Sequence, residues 1–210
     1  MFILELVKLE LGPLGTNCYI LYDQSYNALI FDPGGDSTKL QDLIGKKHLK
    51  PIAILLTHAH FDHIGAVDDI RDRYNIPVYL HESEKEWLMD AQLNGSARFP
   101  VTEVSTHPSD KYLTPGKLEL ASFEVEVRHT PGHSPGGVAF VLHKGKIVIG
   151  GDSLFQNGIG RTDLYGGNME QLINSIREQF LTLDNDYTVY PGHGPETTIK
   201  CERENNPFLK

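Results

Sequence analysis

A chain of 210 residues, 40% hydrophobic and 22% charged, suits a single domain over residues 1–210 with a substantial core. Its net charge of −9 argues against partners such as nucleic acid or an anionic membrane surface. No stretch approaches the ~18 consecutive apolar residues of a membrane span.

The opening MFILEL carries Glu5 and lacks a basic lead and a small-residue cleavage site, so it reads as the start of a first strand and not as a signal peptide. A cytoplasmic protein is therefore expected. Residues 5–10, 17–22 and 28–31 alternate or run apolar between turn-forming clusters and predict a meander of antiparallel strands. Cys18 falls in the second of these and is expected as a buried, reduced thiol, with Cys201 too distant in sequence to form a zinc-finger spacing. A short helix is predicted over 38–47 with Ser37 or Asp36 as its cap, then a buried strand over 51–56. A helix over 66–74, a strand over 76–80 and a helix over 83–89 follow. Residues 90–110 show no period and predict a long surface loop. Strands are expected over 117–120, 123–129, 137–142 and 146–150, with His143–Lys144–Gly145–Lys146 as a hairpin turn. Leu172, Ile173, Ile176 and Phe180 share a helical face within 169–181. A strand over 187–190 and a terminal helix from about Glu196 complete the chain. Two strand-rich halves flanked by helices predict an α/β fold, a four-layer αββα sandwich of two mixed sheets.

Chemistry concentrates at predicted strand ends. Residues 57–63, THAHFDH, place three histidines and an aspartate directly after the 51–56 strand. Imidazole and carboxylate are ligands for zinc or non-haem iron. Packed this tightly at the end of a buried element, they would otherwise each need water or a hydrogen bond. Residues i and i+2 of an extended segment share a side, so His58 and His60 can grip one ion. A turn at Phe61 would aim Asp62 and His63 at a second. Two echoes, TPGHSP at 130–135 and YPGHGP at 190–195, each put a histidine just after a strand, with the glycine allowing a sharp turn. Asp152 follows a strand ending in Gly150-Gly151. Five histidines and two aspartates are too many donors for one tetrahedral zinc and suit two ions.

The set H-x-H-x-D-H, then His133, Asp152 and His193, resembles the metallo-β-lactamase superfamily, and within it glyoxalase II (hydroxyacylglutathione hydrolase). That resemblance implies the metallo-β-lactamase fold and two divalent metal ions, zinc first, with iron or manganese as alternatives. It implies that His58, His60 and His133 hold one ion, that Asp62, His63 and His193 hold the other, and that Asp152 bridges both. Asp62 and Asp152 are thus the catalytic carboxylates. The implied reaction is attack of a metal-bridging hydroxide on a thioester, S-lactoylglutathione or a related thiol ester. No G-x-S-x-G elbow offers a rival nucleophile. The segment 158–167, GIGRTDLYGG, is similar to the short bacterial branch of glyoxalase II, which lacks a C-terminal helical domain; this chain ends seventeen residues after His193. In that segment Arg161 is the expected contact for a substrate carboxylate and Tyr165 a candidate pocket wall, while Asp163 replaces an aromatic residue and is expected to support a turn.

Some readings point elsewhere. A zinc β-lactamase of the common type has cysteine in place of Asp152, which disfavours β-lactam hydrolysis. Persulfide dioxygenases share the resemblance but use one iron, held by the equivalents of His58, His133 and Asp152, and form the alternative function. A nuclease is disfavoured because the acidic chain offers no basic arm. His48, His81, His107, His129 and His143 are expected in structural roles, Trp87 in the core or at a pocket rim, and Asn17 in a turn. The only partner implied is a small-molecule thioester; no nucleic acid, membrane or obligate protein partner is expected.

Overall fold

The computed structural model describes residues 4–210, so the Met1–Ile3 part of the expected first strand lies outside the described residues. The chain forms two compact units. One runs up to Leu113 and includes Leu120–Ser122; the other comprises Thr114–Glu119 and Phe123–Lys210.

The first unit begins with the predicted meander: β1 (Glu5–Leu11), β2 (Thr16–Tyr22) and β3 (Asn27–Phe31) pair antiparallel. α1 (Ser37–Lys46) then leads to β4 (Lys50–Leu55). α2 (Phe61–Ile64) and α3 (Val67–Tyr74) precede β5 (Val78–His81) and β6 (Lys111–Leu113). The sheet order is β1-β2-β3-β4-β5-β6, and pairing turns parallel from β3 onward. β2 is buried along its whole length, so it carries no alternation and packs apolar side chains on both faces. Ile20, Ile30, Ile54 and Val78 join Leu40 and Ile44 of α1 and Ile70 of α3 in one core. Cys18 belongs to it as a free buried thiol; burial, and then the Asp32 carboxylate, push its pKa well above the ordinary value.

Several expectations need correction here. Asp36 stands at the N-cap of α1, but its carboxylate makes no cap bond and accepts the Gly12 N–H at 3.0 Å instead. Asn17 is not in a turn: it pairs with Glu10 inside β2 and is fully buried. The helix predicted over 83–89 is a 3₁₀ turn at Glu82–Glu84 followed by further i→i+3 turns, with Trp87 N–H on Glu84 O and Met89 N–H on Glu86 O. Trp87 and Leu88 are both buried along these turns. The 90–110 segment is irregular as expected, yet not simply a surface loop. Asn94 and Ser96 are fully buried, and Asn94 staples the segment by donating to the carbonyls of Trp87 and Val104.

The second unit holds β7 (Gly116–Leu120), β8 (Phe123–His129), β9 (Val138–Leu142) and β10 (Ile147–Gly151). A small hairpin, β11 (Leu154–Phe155) with β12 (Gly158–Ile159), precedes α4 (Met169–Ser175). β13 (Thr188–Pro191), β14 (Thr197–Thr198) and α5 (Ile199–Asn205) close the chain. The sheet runs β14-β13-β10-β9-β8-β7, with β10 and β13 parallel. Residues 143–146 connect β9 to β10 as predicted, Lys146 taking the left-handed conformation. The helix expected over 169–181 exists, but its last turn, Ile176–Phe180, widens to i→i+5 bonding, with Leu181 N–H on Ile176 O. Leu172, Ile176 and Phe180 are all fully buried against Val148 and Val189. The terminal helix starts later than Glu196 because Thr197 and Thr198 first pair with β13; Thr198 then caps α5, accepting the Cys201 N–H. Among the described residues no helix is long and apolar enough to cross a membrane.

Candidate metal centre

Each unit carries its own group of ligand-type side chains where strands end. In the first unit, β4 lies between β3 and β5 and delivers the chain at Thr57 into the motif. His60 is the residue before α2, with extended backbone (φ −66°, ψ 147°). The turn that the sequence predicts at Phe61 takes the form of the short helix α2, which brings His63 back toward His58. All four side chains are buried: His58 1%, His60 5%, Asp62 6% and His63 0% exposed. The His58 ring stands 4.8 Å from that of His60 and 4.1 Å from that of His63, centre to centre. Donor atoms of His58 and His60, of His58 and His63, and of Asp62 and His63 lie within 4.8 Å of each other.

In the second unit three strand ends contribute. Thr130-Pro131-Gly132 carries β8 into His133, β10 runs into Asp152, and β13 into His193. Gly132 has the left-handed φ (129°) that the Pro-Gly-His reading anticipates. Gly192 does not; its N–H stays paired to Gly151 O, and the positive φ moves to Gly194. His133 Nε2 and His193 Nε2 sit 3.7 and 3.5 Å from Asp152 Oδ2. In the first unit His63 Nε2 is 3.6 Å from Asp62 Oδ2. These separations are long for hydrogen bonds. Two ligands held 2.0–2.2 Å from one ion at tetrahedral angles stand about 3.3–3.6 Å apart, so the spacing is that of neighbouring corners of a coordination shell.

The partners on the far side of the rings support the same conclusion. His63 Nδ1 is 3.0 Å from Asp32 Oδ2, His58 Nδ1 is 3.0 Å from Thr57 Oγ1, and His133 Nδ1 is 2.8 Å from the Arg161 carbonyl. A carboxylate or carbonyl beside Nδ1 holds the proton there and presents the Nε2 lone pair as the coordinating atom. Asp32 also accepts the Thr57 N–H at 2.8 Å and its hydroxyl at 2.6 Å. Thr16 donates to Asp62 Oδ2 at 2.7 Å, and the fully buried Glu84 accepts the Ala59 N–H at 2.6 Å. These buried, oriented donors of imidazole and carboxylate type fit divalent zinc or iron.

Asp32, Thr16, Glu84 and the Arg161 carbonyl were not identified from the sequence. Asp32 had a usable signal, an acidic residue at the end of a wholly apolar strand. The carbonyl had none, since it reaches His133 only because the β11–β12 hairpin folds back. A Cβ on Gly160 would meet Asp152 O at 1.9 Å and His133 Nδ1 at 3.1 Å, so only glycine permits this approach.

The candidate substrate residues sit at the surface of the second unit. Arg161 is paired in-plane with Asp163, Nε to Oδ1 and Nη2 to Oδ2 each at 2.7 Å. Asp163 thus serves Arg161 rather than capping a turn. Tyr165 is 54% exposed. Four of the other five histidines bind structurally: His81 accepts the Ser83 N–H, His107 meets Asp68, His129 the Pro135 carbonyl, and His143 Glu126 and Tyr187. Trp87 is core, 3% exposed, its ring 5.5 Å from that of His60.

This fold and these donors define a metal-dependent hydrolase class, and the chain belongs to the metallo-β-lactamase superfamily, whose family model matches residues 11–193. It is 50% identical over 203 residues to the probable metallo-hydrolase YqgX of Bacillus subtilis (strain 168), covering 96% of each chain. It is 37% identical over 195 residues to the hydroxyacylglutathione hydrolase GloC of Haemophilus influenzae, covering 92% of each. Among solved structures, BLEG-1, described as a B3 metallo-β-lactamase, matches with TM-score 0.96 and 49% identity over 98% of this chain and 99% of that one. TTHA1623 in a di-iron-bound form matches with TM-score 0.86 and 39% identity over 97% and 100%. The expected fold class, two mixed sheets with flanking helices, is that of this superfamily.

Proposed function

We propose that the protein is a dinuclear metal-dependent thioester hydrolase of the glyoxalase II kind, acting in the cytoplasm on 2-hydroxyacyl thioesters such as S-lactoylglutathione, with residues 1–210 working as one domain. His58, His60 and His133 would hold one divalent ion, Asp62, His63 and His193 the second, and Asp152 would bridge them. Zinc is the first choice, with iron or manganese as alternatives, since availability as much as ligand type decides loading. The observation that carries the reading is the preset Nε2 of His58, His63 and His133, each fixed from behind by Thr57, Asp32 or the Arg161 carbonyl. The relative described as a hydroxyacylglutathione hydrolase and the di-iron-bound neighbour support it.

When bound, the ions supply Lewis acidity toward a carbonyl and toward water. The chain's own residues do the rest. Asp32 and Thr57 hold the imidazoles in the ligating tautomer, and Thr16 restrains one oxygen of Asp62. Arg161 keeps its Nη1 edge for a substrate carboxylate, and the exposed Tyr165 would serve as a pocket wall. The partner is a small thioester, with no role for nucleic acid, membrane or a second protein.

A second reading, β-lactam hydrolysis, draws on the 49% identity to BLEG-1. The test is metal analysis of the purified protein together with assays of S-lactoylglutathione hydrolysis, nitrocefin hydrolysis and O₂ uptake with glutathione persulfide. Two ions per chain with thioester turnover is the expected result. Nitrocefin turnover without thioester turnover selects the β-lactamase. One iron with O₂ consumption selects the persulfide dioxygenase that shares this ligand set.

A further inference from the structure

Arg161 is tied to the ligand group more tightly than its exposure suggests. Gly160 packs backbone to backbone on Asp152, and the Arg161 carbonyl takes the His133 ring. Both anchors are themselves members of the donor group, so the Arg161 backbone is fixed at its edge. The guanidinium does not stand as a bare cation. Asp163, two residues on, closes the Nε/Nη2 edge with two parallel bonds of 2.7 Å, the bidentate geometry in which a guanidinium holds a carboxylate best.

We propose that Asp163 sets the thiol specificity of this site by neutralising Arg161, so that the protein favours thioesters whose thiol portion carries no net negative charge over those of anionic thiols such as glutathione. The inference rests on the thioesterase reading and narrows its substrate class. Arg161 can still donate from Nη1 to a carboxylate, but an anion approaching it meets a pair of zero net charge. The pair is 52% and 66% exposed, and hydrogen bonds from Arg161 bring the Asp163 carboxyl down to about 2. It therefore stays charged throughout the working range of a hydrolase. The chain's net charge of −9 adds a long-range field that also disfavours anionic substrates.

The test compares two lactoyl thioesters, of glutathione (net anionic) and of N-acetylcysteamine (neutral), on the metal-loaded wild type and on Asp163→Asn. Asparagine keeps the size and removes the charge. The ratio of kcat/KM for the glutathione ester over the neutral ester should rise about fivefold in the variant, the factor one unit charge at about 4 Å is worth in bulk water. The change should lie in KM and should shrink at high salt. Binding of the unreactive thioether S-hexylglutathione, measured by calorimetry, should tighten by a similar factor. An unchanged ratio, or equal changes for both esters, overturns the role of Asp163 and leaves the thioesterase reading standing. A wild type that turns over neither ester overturns both.

Discussion

Asp32→Asn isolates the tautomer argument. Asp32 sits in the left-handed region (φ 49°) at the end of β3, and asparagine tolerates that conformation, so the backbone is spared. The carboxylate accepts three bonds: Oδ1 from the Thr57 N–H, Oδ2 from the Thr57 hydroxyl and from His63 Nδ1. An amide can match the first with its oxygen, but its NH₂ then faces the other two partners. His63 Nδ1 must become an acceptor, its proton moves to Nε2, and the coordinating lone pair is lost. Removing such an outer partner costs about 10–100-fold in metal affinity, or about 1.4–2.7 kcal/mol. Chelator competition on the zinc-loaded protein measures this, with circular dichroism of the metal-stripped variant verifying that the fold persists. Wild-type zinc affinity in a folded Asp32→Asn protein would refute the idea that Asp32 sets the His63 tautomer.

The other expectations concern the scaffold. Gly160→Ala forces a methyl to 1.9 Å from the Asp152 carbonyl and should lower stability by about 1–3 kcal/mol while reducing metal content; urea denaturation and metal analysis measure the two effects. Glu84→Ala strips the buried Ala59 N–H of its acceptor and should cost about 1–3 kcal/mol, with Glu84→Gln recovering most of it; identical urea midpoints for the two variants would contradict this. Asp23 feels burial, which raises its pKa, but hydrogen bonds from Ser122, Asn27 and Ser25 outweigh it and hold the carboxyl below its ordinary 3.8. Its contribution to stability is therefore complete above that value and fades as pH falls through the lower folded one. The stability gap between wild type and Asp23→Asn should narrow from pH 6 to pH 3; a constant gap would show that the carboxylate charge is not what matters.

Much of the donor arrangement was legible because ligands of this kind need unusual residues at strand ends. His58, His60, Asp62 and His63 follow β4 without a gap, and His133 and His193 are marked by repeated Pro-Gly-His turns. The strands bearing them have apolar runs that need no tertiary information to recognise. What remained hidden depends on contacts between segments far apart in sequence. Glu84 lies in a stretch with helical composition, yet its carboxylate is drawn to Ala59, 25 residues earlier, and the local winding tightens to a 3₁₀ turn. Asp36 has the residue type of a helix cap, but Gly12 competes successfully for its carboxylate. Thr197 and Thr198 could begin a helix or extend a sheet edge, and the vacant edge of β13 decides for the strand.

The outer partners bear on what metal binding does for this protein. In a zinc finger the ion supplies the folding energy because no core exists without it. Here each unit has its own core, Ile20 through Val78 in one and Val148 through Ile199 in the other. The rings are oriented by protein atoms, among them a buried carboxylate and a backbone carbonyl. An arriving ion therefore meets side chains whose rotamers and tautomers are already chosen, and loses little affinity to ordering them. The cost falls on the metal-stripped protein instead, which must hold the His60 and His63 rings 4.8 and 4.1 Å from that of His58 with no cation to share. That crowding favours loading with whichever suitable divalent ion the cell supplies.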